Sequence, residues 1–184
     1  MERSNPNPRL FFGVAASVVL VDAFTKIMAV DRLMPSRLPR EVLGESLRLT
    51  LVFNPGAAFG LHLGPYSRWI FTALTVGALV LLWELYRTTR AGDFVRTLAL
   101  SLVCGGALGN LLDRLKSGRG VVDFIDVGVG SMRWPTFNVA DMAVSCGAVL
   151  LAIVLWKEDA AAQAAAKVSA PTVVTSGSDA AVQG

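Results

Sequence analysis

Apolar residues in this 184-residue chain gather into four long runs: Leu10 to Val30, Trp69 to Tyr86, Val95 to Leu112 and Val139 to Trp156. Each approaches the roughly 20 residues that an α-helix needs to cross the hydrocarbon of a bilayer. The runs predict four spanning helices. Between the first two the period changes. Ser46 to Leu51 alternate polar and apolar side chains, as a half-buried strand does, and NPGAAFG at Asn54–Gly60 supplies the Pro and Gly of a turn. A small extramembrane sheet, or cradle, is expected over residues 44–63. A second extramembrane stretch, Lys116 to Pro135, is Gly-rich and carries VVDFIDVGVG, which either pairs with that sheet or lies in the membrane interface.

Composition sharpens the class. With 53% hydrophobic and 17% charged residues and a mean hydropathy of +0.54, the chain is too apolar for a water-soluble domain of its length. One integral membrane domain over residues 1–157 is expected, mainly α-helical. The tail, 158–184, is rich in Ala, Ser, Thr and Val, and should fade from a short helical extension into disorder. Arg3 and Arg9 precede the first apolar run, as in a secretory signal, but a signal h-region spans about 7–15 residues and ends at a small-residue cleavage site. This run carries Asp22 and Lys26 and leads into Asp31, Arg32 and Pro35, so a retained first helix is expected.

Charge says less about orientation. Basic residues fall on both sides of the expected spans, and only the compact Arg87, Arg90, Arg96 group favours its loop as cytoplasmic. The pI of about 9.2 reflects scattered Arg; it suggests affinity for anionic phospholipid headgroups, and no nucleic-acid motif accompanies it. Cys104 and Cys146 fall inside expected helices, without disulfide or metal spacing, and read as small apolar fillers. Trp69, Trp134 and Trp156 read as interface anchors, and Phe59 either as another or as a gate of the cradle over lipid. Gly105, Gly106 and Gly109 read as small residues that let helices approach closely.

The chemistry gathers near the ends of the third and fourth runs. Asn110 and Arg114, four residues apart, share a helix face, as do Asn138 and Asp141, three apart, while Asp123 lies in the loop between. Ionisable side chains beside membrane spans are functional-site hypotheses by default. Two carboxylates held close cannot both ionise comfortably, so the pair shares a proton and can serve as acid and base together. Competing chemistries fit poorly. The lone histidine, His62, sits in FGLHLG, no G-x-S-x-G elbow occurs, and Lys26 is placed four residues after Asp22 to form an internal ion pair. No His or Cys stands beside the acids, so neither metal nor cofactor is expected. A transporter would show half-chain repeats with interrupted helices, which are absent from the pattern. Of the remaining acids, Asp113 reads as an ion-pair partner and Asp126 as a solvent-facing residue on the far side of a strand from Asp123.

Five ordered motifs then resemble one family. Asp22-x-x-x-Lys26, NPGAAFG at Asn54–Gly60, GNLLDR at Gly109–Arg114, VVDF at Val121–Phe124 and FNVAD at Phe137–Asp141 are similar to those of lipoprotein signal peptidase, or signal peptidase II, the bacterial aspartic peptidase. The resemblance implies four inner-membrane helices with both termini cytoplasmic and a periplasmic cradle. It implies cleavage of diacylglyceryl-modified prolipoproteins before the lipidated cysteine, by a monomer without cofactor. Carried over by motif, Asp123 and Asp141 would be catalytic. Asn54, Gly56, Gly109, Asn110, Arg114, Asn138 and Ala140 would line or support the site, with Asp22 and Lys26 behind them. LKSGRGVVD, between Arg114 and Asp123, is one residue longer than the common spacing, and leaves Asp123 the least fixed of these positions.

Overall fold

The computed structural model describes residues 7–56 and 64–169, and its fold follows from where helices can start and stop. Asn7 caps the first helix, α1 (Pro8–Leu33), by accepting from the Leu10 amide at 3.2 Å, and Pro8 occupies the first turn, where its missing N–H costs nothing. The helix ends at extended Met34 because a residue before proline is pushed out of the helical region. A 3₁₀ turn, Gly64–Tyr66, leads into α2 (Ser67–Arg87). Asp93 caps α3 (Phe94–Lys116) through the Arg96 amide at 3.0 Å. The last helix, α4 (Val139–Ser169), runs thirteen residues past the predicted end at Trp156. Its extension, KEDAAAQAAAK, is built largely of strong helix formers, and the helical extension expected at the start of the tail reaches Ser169.

All four helices are long and apolar enough to cross a membrane. They differ in exposure. In α3, 56% of the apolar window is buried inside the protein, against 22% in α1 and 17% in α2 and α4. Helix α3 is therefore the axis of the bundle, packing on the other three, and the outer helices turn Leu20, Phe24, Ile27, Leu81 and Val149 outward, as lipid-facing spans do. Close approach depends on the expected glycines: a Cβ at Gly105 would lie 2.9 Å from the Ala15 carbonyl oxygen, and one at Gly106 would strike the backbone of Ala140.

Four antiparallel strands in the order β1-β2-β3-β4 form one sheet: β1 (Arg40–Leu43), β2 (Leu47–Asn54), β3 (Val121–Val129) and β4 (Met132–Arg133). The two extramembrane stretches are thus one structure. Val52 pairs with Asp123 and Asn54 with Val121, so Asp123 stands on a strand and not in a loop. Leu51 and Phe124 pack on Ala29 and Leu33, docking the sheet on the end of α1. At the opposite end Phe11 stacks on Tyr86, with ring centroids 3.9 Å apart, and α1 begins there while α4 leaves. Ala57 to Leu63, which include Phe59 and His62 and the end of the expected cradle, lie outside the described residues, as do 1–6 and 170–184.

Candidate active site

The site forms where α3 ends, α4 begins and β3 crosses between them. The turn from α3 to β3 places Asp123. Ser117 bonds back to the Asp113 carbonyl, and Gly120, at φ +96°, presses so closely on Asn54 that a Cβ there would overlap the Asn54 carbonyl. Only glycine suits that left-handed, crowded position. Asp113 adds a second tie, accepting from the Val122 amide at 3.1 Å. The strand register then holds Asp123 opposite Val52.

Asn138 is the central connector. It stands one residue before α4, not on it as the three-residue spacing suggested, and forms a reciprocal cap: its Oδ1 accepts from the Asp141 amide at 2.9 Å, while Asp141 Oδ2 accepts from the Asn138 amide at 3.2 Å. Its Nδ2 donates to Asp123 Oδ1 at 2.7 Å and to Asn110 Oδ1 at 3.1 Å. One fully buried amide thus touches both acids. Asn54 Nδ2 donates to Asp123 Oδ2 at 3.1 Å, and Asn110 Nδ2 to Asp141 Oδ1 at 2.8 Å. Asp123 is 2% exposed, whereas Asp141 is half-buried in the first turn of α4. Burial, reinforced by the neighbouring Asp141 charge, lifts the Asp123 carboxyl from 3.8 to about 7, although bonds from Asn54 and Asn138 favour its ionised form.

Behind the acids lies a second charged cluster. Lys26 Nζ donates to Asp22 Oδ2 at 2.8 Å, to Asp113 Oδ2 at 2.9 Å and to Asn110 Oδ1 at 2.9 Å, which uses all three of its protons. The other Asp22 oxygen accepts from the Ala140 amide at 2.9 Å, tying α1 to the start of α4. Gly109 makes room, since a Cβ there would lie 2.6 Å from the Asp22 carboxylate.

A cavity of about 500 Å³ opens in front of the acids. Asn54, Asn110, Arg114, Asp123 and Asp141 line it. Asn138 and Ala140, expected at the same surface, are fully buried behind it, and Gly109 and Gly56 act through spacing and backbone. Gly56 is held by Asn54 Oδ1 at 3.0 Å and accepts from Arg114 Nη2 at 3.2 Å, fixing the guanidinium at the rim. Asp126, expected to face solvent, is instead buried on the other side of the sheet, bonded to Arg133 at 2.7 Å and Thr50 at 2.9 Å. The rest of the wall was not foreseen: Val121, Trp134–Phe137, and Met142, Val144, Ser145 and Cys146. Val144 and Ser145 stand three and four residues past Asp141, a helical spacing that marks them as neighbours of the acid. Cys146 faces this cavity and is no core filler.

These features define an intramembrane enzyme with an aspartic carboxylate pair at one end of a helical bundle. The family described as Signal peptidase (SPase) II matches residues 14–157. A lipoprotein signal peptidase of Burkholderia mallei (strain SAVP1) is 43% identical over 144 residues, 77% of this chain and 84% of that protein. One of Cupriavidus taiwanensis is 45% identical over 150 residues, 79% and 82% of the respective chains. Two solved structures described as bacterial membrane enzymes are each 30% identical, with TM-scores of 0.75 and 0.72. They cover 86% and 84% of this chain, and 94% and 97% of their own. The chain belongs to the signal peptidase II family, an aspartic peptidase family of the membrane.

Proposed function

We propose that this peptidase cleaves prolipoproteins immediately before a diacylglyceryl-modified cysteine, with Asp123 and Asp141 as the catalytic pair. The supporting observation is the asymmetry of two acids linked through Asn138 at one cavity. Asp123 is enclosed and its carboxyl titrates near neutrality, so it carries the shared proton and donates it to the scissile carbonyl oxygen. Asp141 receives two N–H donors and stands at the positive end of the α4 dipole, so it is the ionised base. It takes a proton from water as the water oxygen bonds to the carbonyl carbon. Transfer of that proton to the amide nitrogen then accompanies C–N cleavage while a hydroxyl of the tetrahedral diol returns its proton to Asp123, leaving a carboxyl and an amine and restoring the pair.

The cavity is polar at the acids and apolar along α4, through Met142, Val144 and Cys146. That gradient suits a substrate with a peptide at the sheet and acyl chains along the helices, entering sideways from the bilayer. The extramembrane sheet, where the bilayer gives way to water, argues for a site at the periplasmic face of the inner membrane, with both termini in the cytoplasm; Arg87, Arg90, Arg96 and Lys157 gather at the opposite end, as the positive-inside bias requires. One chain already supplies both acids and their Asn donors, so we take a monomer as the working unit, with phospholipid around its outer helices. Purified protein should cleave a lipidated precursor and ignore the same peptide with an unmodified cysteine. Equal turnover of both would overturn the substrate assignment.

A further inference from the structure

One wall of the cavity is a short bridge, Trp134–Thr136, between β4 and α4. Hydrogen bonds tie both its ends to β3: the Trp134 amide donates to the Val127 carbonyl at 2.8 Å, and Phe137 exchanges backbone bonds with Ile125 at 3.0 and 2.8 Å. The strand it leaves contributes little, because β4 is two residues long and two-residue ladders are marginal. The main anchor is a side chain. Arg133 directs Nε and Nη2 onto Asp126 Oδ1 at 2.8 and 2.7 Å, Nη2 onto the Asp126 carbonyl at 3.0 Å, and Nη1 onto the Glu45 carbonyl. The second Asp126 oxygen accepts from Thr50 Oγ1 at 2.9 Å. A planar guanidinium engaged this way fixes direction as well as distance. Asp126 is 8% exposed and lies on the opposite sheet face from Asp123, so β3 carries the reactive acid on one side and this clamp on the other.

We infer that Asp126 and Arg133 are positioning residues: their ion pair holds the Trp134–Thr136 wall at the distance from α4 that the substrate requires, and the Trp134 indole is a substrate-contacting, specificity-determining surface. Trp134 is 58% exposed although it lines the cavity. Large rings held open in a pocket by a rigid support are the groups that supply binding energy when covered. The inference rests on the proposed function, because the wall matters through the lipidated peptide it contacts.

Steady-state kinetics on a lipidated precursor in defined micelles test it with Arg133→Ala, Arg133→Lys, Trp134→Ala and the Arg133→Ala/Trp134→Ala double variant. Arg133→Ala and Trp134→Ala should each raise KM about tenfold, with kcat within about twofold of wild type, the size expected of one lost apolar contact. Arg133→Lys should recover part of the KM, and the double variant should be no worse than the poorer single. A merely structural role would lower kcat through loss of active protein and leave KM unmoved. Unchanged KM in Trp134→Ala, or effects that multiply in the double variant, would overturn the inference. Should Arg133→Ala fail to fold, Arg133→Lys and Trp134→Ala decide alone. A wild-type protein that did not cleave the precursor would instead overturn the functional reading beneath it.

Discussion

Two clusters of carboxylates, each with one fully buried member, stand back to back in this bundle, joined by Asn110, and they solve the same electrostatic problem differently. Asp22 and Asp113 share one ammonium, Lys26, whose three protons are all engaged. Among the described residues no cation is bonded to Asp123 or Asp141; amide donors from Asn54, Asn110 and Asn138 face them instead. Charge in a poorly hydrated site must be paired or neutralised. The first cluster is paired and therefore inert, a brace between α1, α3 and α4. The second is left to be neutralised by a proton, and a carboxyl that keeps a proton near pH 7 can exchange it. On the proposed function, the same residue type thus divides into scaffold and reagent according to whether a lysine lies within reach.

The largest expected effect tests that division directly. Asp123→Asn and Asp141→Asn should each lower turnover by about 10³-fold or more, because an amide can neither accept the proton of water nor return one at these positions. Each variant should keep the wild-type melting profile or better. Near-wild-type cleavage by either would end the assignment of the pair.

Smaller in activity and larger in stability is the effect of breaking the other cluster. Lys26→Met leaves two buried carboxylates without their cation and should cost about 3–5 kcal/mol, read as a lower unfolding midpoint in detergent. Adding Asp22→Asn and Asp113→Asn should restore much of the loss, since a buried charge network replaced as a unit is often near neutral. No restoration in the triple variant would mean that Lys26 acts on the catalytic pair through Asn110, and the contrast between scaffold and reagent would weaken.

Much of this was legible beforehand, for identifiable reasons. Helices needing about 20 apolar residues announce themselves, and all four were found. The Asp22–Lys26 pair was visible as an i, i+4 spacing, which a helix converts directly into contact. What escaped depends on pairing across the chain. Nothing local says that VVDFIDV is the partner of LRLTLVFN, so Asp123 read as a loop residue. Asp126 read as solvent-facing because its cation, Arg133, reaches it through a hairpin and not through a helical interval. Asn138 read as a helix-face residue because a cap and a first turn look alike in spacing; only the reciprocal bonds with Asp141 separate them. The wall of Trp134–Phe137 had no chemical signature, since its role comes from position alone.

The smallest effect concerns the stability that Asp123 costs. Its carboxyl titrates near 7 in the folded protein, above its ordinary 3.8, so between those values the folded chain holds a proton that the unfolded chain releases. Stability must then fall as pH rises through about 4 to 7, because the folded state binds the extra proton. Asp123→Asn removes this slope. The variant should match wild type near pH 4 and exceed it above pH 7, by an apparent melting shift of about 2–4 °C. The gain stays modest for a local reason: Asn54 and Asn138 both donate toward this carboxyl, and an asparagine there can accept from only one of them. Melting curves of wild type and variant across pH 4–8 give the comparison. A slope that survived in Asp123→Asn would place the shared proton on the other acid and exchange the roles of acid and base, whereas a wild-type stability flat over that window would mean that the folded pair holds no extra proton there.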